Sequence, residues 1–257
     1  MVNPLLTIVR KELLEMRRTR RFLLRFFIAP SFVLLYSFTA LGNLPHRSHG
    51  EVGALTASRL SSEDIEAAEW FGRSKVFLLL MLPMLFSAAL VMQTMVVEKT
   101  AKTLEPLLVT PVKTYHLVLG KILAALVFPL LAGYLYLGIY VGVVCLMDRH
   151  SEMLRFMFSP RPLIEAFLVM PVSAFANASL AMIVAVRSRD PKTGSLLSSL
   201  LTLPGIVLYG TQIALLDFLN QYILLVCVGA VLLLAGAGIF FATEAFQREK
   251  VFERWDS

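Results

Sequence analysis

An all-α integral membrane protein with six transmembrane helices is the fold class this sequence predicts, and three observations predict it. Of the 257 residues, 57% are apolar and only 16% charged, against roughly 45–50% and about 25% in a soluble domain. The apolar residues are collected into six runs of 21 to 26 residues, and about 20 suffice to cross roughly 30 Å of hydrocarbon. Lys and Arg are concentrated in alternate connections between the runs, the charge pattern of a membrane protein with basic cytoplasmic loops. Disorder and most soluble enzymes are thereby excluded, and the backbone within each run must be helical to satisfy its own hydrogen bonds in lipid. The whole chain reads as one transmembrane domain.

The first element is a helix over 4–21. Asn3-Pro4 supplies an N-cap followed by proline at the first helical position. Leu5, Leu6, Val9, Leu13 and Met16 fall within about 100° of arc, with Lys11, Glu15 and Arg18 opposite. The helix is expected to lie in the inner interface and to bring Arg17, Arg18, Arg20 and Arg21 to anionic headgroups. The first span, 22–44, follows a long charged segment with no small-residue cleavage site, so it is expected to act as its own insertion signal. The outer connection 45–75 is long and acidic; Ser61 to Phe71 predicts a short surface helix anchored by Trp70 and Phe71. His46 and His49 lie three apart, too few ligands for a metal, and no metal site is expected.

The remaining spans are 76–97, 122–147, 163–186, 196–216 and 222–243. On the second, Met81, Met84, Met92 and Met95 share one face, an adaptable surface for an apolar substrate or simply for packing and lipid. On the fifth, Ser195, Ser198, Ser199, Thr202 and Tyr209 share a face, which suits either a pathway lining or helix packing. Gly138 and Gly142 permit close helix approach in the third span. Pro30, Pro83, Pro129, Pro171 and Pro204 permit kinks. Cys145 and Cys227 both fall in apolar runs, are expected to be membrane-buried, and are too few for a disulfide framework. With the N-terminus inside, inner segments hold 17 of the 24 Lys and Arg and outer segments 7, which places both termini in the cytoplasm. No basic stretch is interleaved with aromatics for nucleic acid.

The energy source is constrained by absences. Gly120-Lys121 is followed by Ile122 and lacks the upstream glycine of a phosphate-cradling loop. The six spans carry no Asp, Glu or Lys away from their ends, and Arg25 and Glu165 are expected to reach the interface from span entrances. A gradient-driven transporter usually needs an ionisable group inside the membrane. No acidic pair, His-Glu-x-x-His or nucleophile with its base occurs in the spans. The expectation is a chain that is not an enzyme, binds no cofactor itself, and draws its energy from a partner rather than from an ion gradient.

The inner connection 98–121 is the most specific stretch. It offers a short helix over Thr103 to Leu108, a break near Pro111, and Thr114 to cap the next helix. Thr-Leu-Glu-Pro-Leu-Leu-Val-Thr-Pro-Val at 103–112, Leu-Gly-Lys at 119–121 and Glu98 resemble the signature of the ABC type-2 transport permease family. Arg-Lys-Glu at 10–12, the six spans and Phe-Gln-Arg-Glu at 246–249 match its order of parts. Lys102 stands where the family usually has glycine, and Thr100 where a second glutamate is common. The resemblance implies the membrane subunit of an ABC exporter in the cell membrane. Such a subunit pairs with an identical or different permease and docks on a separate subunit that binds ATP and magnesium. It also implies that the coupling segment meets that ATPase through Glu98, Thr103, Leu104, Glu105, Pro106, Leu107, Leu108, Thr110 and Pro111. The alternative on the same fold is a scaffold that tethers an ATPase for maturation of a cofactor or protein.

Overall fold

The computed structural model describes residues 4–18, 28, 31–32, 35, 62–100, 113–146, 155, 157–188, 200, 203, 206 and 221–245. Among these every regular element is helical: α1 (Pro4–Arg18), α2 (Ser62–Thr100), α3 (Thr114–Leu146), α4 (Pro160–Ile164), a π-turn (Glu165–Val169), α5 (Met170–Arg187) and α6 (Gln221–Ala245). Three stretches are long and apolar enough to cross a membrane, Leu78–Val96, Thr114–Leu146 and Pro162–Arg187, and α6 adds the apolar stretch Val228–Glu244. The first three lie over the expected second, third and fourth spans, and Val228–Glu244, a shorter apolar stretch, lies over the expected sixth. Of the first and fifth spans only Ile28, Ser31, Phe32, Leu35, Leu200, Leu203 and Ile206 are described, all helical.

One boundary differs from expectation. The surface helix expected over 61–71 and the second span are one helix of 39 residues, about 58 Å long at 1.5 Å per residue. The only breakers within it are Gly72 and Pro83, and a lone glycine costs only about 1 kcal/mol in a helix. The third span's helix starts at Thr114, where capping is expected, eight residues before the expected span itself. Lys121 therefore lies a full two turns inside a helix.

The core has two storeys. Near α1 it is built from Met16, from Leu90, Val91 and Met95 of α2, from Leu117, Val118, Ile122, Ala125 and Leu126 of α3, and from Ala174, Ala178, Ala181 and Ala185 of α5. Towards the other end, Leu79, Leu80 and Met84 of α2 meet Tyr136, Tyr140 and Val144 of α3 and Ala166 and Val169 of the π-turn. The alanines recur at helical spacing and present a shallow face on which neighbouring helices approach closely. Glycine does the same elsewhere. A Cβ at Gly133 would stand 2.4 Å from Pro83 Cγ, and one at Gly238 would stand 2.7 Å from Ser179 Oγ. Hydrogen bonds stitch α2 to α5: Ser87 Oγ lies 2.9 Å from the carbonyls of both Met84 and Ala174, and Asn177 Nδ2 donates to the Met84 carbonyl.

The π-turn has a local cause. The amide of Met170 donates to the carbonyl of Glu165, one residue earlier than an α-helix would use. Pro171 follows, has no amide hydrogen, and its ring crowds the preceding turn. The shift removes the helical donor from the Ala166 carbonyl, and the hydroxyl of Tyr134 donates to it instead at 3.1 Å. Glu165, expected to reach the interface, is fully buried in this turn. The widened turn holds it inside the bundle, where its place as third residue of the expected span suggests the interface. The outward surface of α3 and α6 is apolar, with Leu131, Leu135, Leu233 and Phe240 among its exposed residues, as a lipid-facing surface requires. Gly138 and Gly142 open onto that surface, since a Cβ on either would meet nothing within 4 Å. Cys145 is exposed on the last turn of α3.

Candidate functional site

The most charged interior point of the described structure lies where α1, the end of α2 and the start of α3 converge. Lys121 Nζ donates to Glu12 Oε1 at 2.7 Å and to Glu98 Oε1 at 2.5 Å. Lys121 and Glu12 are each 2% exposed and Glu98 7%, so water does not screen these pairs. Three segments far apart in sequence are joined by one ammonium group.

Local sequence explains how they meet. Gly120, next to Lys121, lacks the side chain that would hold α1 away: a Cβ there would stand 2.8 Å from Ile8 Cγ2. Glu12 lies one turn after Ile8 on the same face. Seating Ile8 on Gly120 thus sets Glu12 beside Lys121. The apolar arc of α1 is accordingly shared. Met16 is buried and Leu5 and Val9 half-buried, whereas Leu6 and Leu14 are exposed. The buried face, centred on Ile8, Glu12 and Met16, is rotated about 70° from the centre of the apolar stripe at 100° per residue.

Burial pushes the Glu98 carboxyl above its ordinary range and the neighbouring Glu12 adds to the rise, while Lys121 and Lys11 oppose it. Two carboxylates share one ammonium, so with all three charged the cluster carries one surplus negative charge. Glu12, Glu15 and Glu98 each bring an oxygen within 4.8 Å of the others. Lys121 already supplies the cation at two of them, and Glu15 is an exposed partner of Lys11 at 3.4 Å.

Of the residues expected to contact an ATPase, Glu98 is the one described, and it faces Lys121 in the interior. Thr103, Leu104, Glu105, Pro106, Leu107, Leu108, Thr110 and Pro111 lie outside the described residues, as do Ser195, Ser198, Ser199, Thr202 and Tyr209. The methionine face divides between the storeys. Met92 and Met95 pack in the core near α1, Met84 packs in the other, and Met81 is half-buried against the latter. Glu12 and Lys121 fall within the Arg-Lys-Glu and Leu-Gly-Lys motifs, and nothing in those motifs assigns either a place in a site. The available signal is that Glu12 borders the apolar arc of α1, about 100° from Lys11 and about 120° from Arg18, where a charge needs a partner.

A family model described as "ABC-2 family transporter protein" matches residues 61–227. Neither a curated protein nor a solved structure matches the chain.

Proposed function

The chain belongs to the ABC-2 family of transporter proteins, and from that premise we propose that it is the membrane permease subunit of an ATP-driven exporter. It works as a dimer with an identical or related permease, has cytoplasmic termini, and is coupled through residues 98–121 to separate ATPase subunits. It has no ATP-hydrolysing site of its own. The observation that carries this reading beyond family membership is the closure at Lys121. Residues 101–112 leave from α2 and return to α3, and the Lys121–Glu98 bond fastens the base of that excursion. A segment anchored at its base transmits a push to both helices, where a slack loop would absorb it.

The test is capture of the tagged chain from its native membrane, followed by identification of the bound ATPase and measurement of its rate in liposomes. A separate ATPase subunit is expected in the complex, and Glu105→Lys, which reverses a charge in the coupling segment, is expected to cost at least tenfold in bound ATPase. Unchanged assembly and rate in that variant, or labelling of a cysteine at 105 from outside the cell, counts against the reading.

A further inference from the structure

We propose that Lys121 is a positioning residue for coupling: it locks the N-terminal helix to the base of the coupling segment, so that movement of residues 101–112 carries α1 together with α2 and α3. This rests on the permease reading and adds α1 to the moving parts.

The geometry supports one body rather than three. Lys121 joins positions 109 and 23 residues distant in sequence, and Glu98 stands two residues before the end of α2. No member is more than 7% exposed, so an opened bond would leave a buried charge without water to replace its partner. Such a junction moves as a unit or opens as a whole. Ile8 against Gly120 sets the contact one turn from Glu12, fixing the register of α1 on α3.

Simple adhesion does not account for the ions. Well-packed apolar residues often replace a buried ion group at no loss of stability, and the best-attested use of such groups is to fix register or serve a switch. The same helix leaves Leu6, Arg10 and Leu14 exposed on its outer side, the composition of a helix that meets lipid. A displaced coupling segment would therefore move a membrane-bound lever as well as two spans.

The experiment uses the full chain assembled with its ATPase subunit in liposomes, with two readouts: ATPase rate of the complex relative to the free ATPase, and amide exchange of residues 4–18. Lys121→Met is expected to keep the ATPase bound, lower its stimulation at least tenfold and expose α1 to exchange. Lys121→Arg is expected to restore half or more of both. Wild-type stimulation or unchanged α1 protection in Lys121→Met overturns the proposal. If that variant does not assemble, the triple variant Glu12→Leu, Glu98→Leu, Lys121→Met removes all three charges together and decides. Loss of stimulation from an assembled complex supports the proposal, and full coupling through an apolar junction overturns it. A wild-type chain that stimulates no ATPase would sink the permease reading instead, leaving the exchange measurement to judge the lock.

Discussion

At the residue scale, the surplus charge of the Glu12–Lys121–Glu98 cluster decides which member is most dispensable. Lys121→Met leaves two carboxylates buried together with no cation, a change in the class that costs about 3–5 kcal/mol. Glu98→Gln removes the surplus charge and leaves Glu12 on Lys121, so its cost is expected to stay within about 1 kcal/mol. Thermal unfolding in detergent at neutral pH should rank Lys121→Met far below Glu98→Gln; the reverse order would mean that the two carboxylates are not held by Lys121. The pH dependence has a definite sign. Burial raises the Glu98 carboxyl above its ordinary 4.5, so the folded chain holds that proton to higher pH than the unfolded chain does. Stability from this group is present below 4.5 and is lost as pH rises towards the folded value. The melting temperature of Glu98→Gln should therefore gain on that of the parent as pH rises from 4.5, and a gap that narrows would contradict the assignment.

At the element scale, two joints can be tested one atom group at a time. Tyr134→Phe removes the donor to the Ala166 carbonyl that the π-turn frees, and the expected loss is about 0.5–1.5 kcal/mol by the usual yield of a hydrogen bond. Gly133→Leu places a large side chain where even a Cβ is 2.4 Å from Pro83. It should cost more than Tyr134→Phe in a detergent melt, because both sides of that crossing are backbone or ring atoms that cannot swing away. Equal losses would show that α2 and α3 cross elsewhere. The span positions near 78–96, 114–146 and 162–187 were legible because hydrophobic length alone sets them. The start of α3 was legible from Thr114. The continuity of α2 was not, since Ser62 through Glu69 reads equally as the start of a surface helix. The π-turn was not either: Pro171 is visible in sequence, but the Tyr134 hydroxyl that satisfies the displaced carbonyl comes from another helix. The lysine cluster was half legible, its members sitting in recognisable motifs whose meeting depends on the seat that Gly120 gives Ile8.

At the scale of the whole molecule, buried Glu165 reopens the question of what drives the bundle. In sequence the expected spans carry no Asp, Glu or Lys away from their ends, which weighs against a proton gradient, yet the structure buries the carboxylate of Glu165 within the apolar stretch Pro162–Arg187. A relay needs further groups within hydrogen-bonding reach. Glu165 adjoins the Ala166 carbonyl that Tyr134 holds, and Tyr134 stands 13 residues along α3 from Lys121, about 20 Å at 1.5 Å per residue. Between them the described core is Ile122, Ala124, Ala125, Leu126 and Ala132 of α3, faced by Leu90, Val91 and Met92 of α2. None of these carries a proton. Ser87 and Asn177 are also buried between the two charged places, but their polar groups are held by the carbonyls of Met84 and Ala174, so among the described residues no titratable side chain bridges them, an arrangement that suits a bundle moved from one end by an ATPase. ATP hydrolysis by the reconstituted complex should stay within about twofold when a protonophore collapses the gradient, and Glu165→Gln, which keeps the shape and removes the titrating group, should do the same. A tenfold fall in either measurement would show that Glu165 carries a proton in the cycle and that energy enters through the fourth span as well as through residues 98–121.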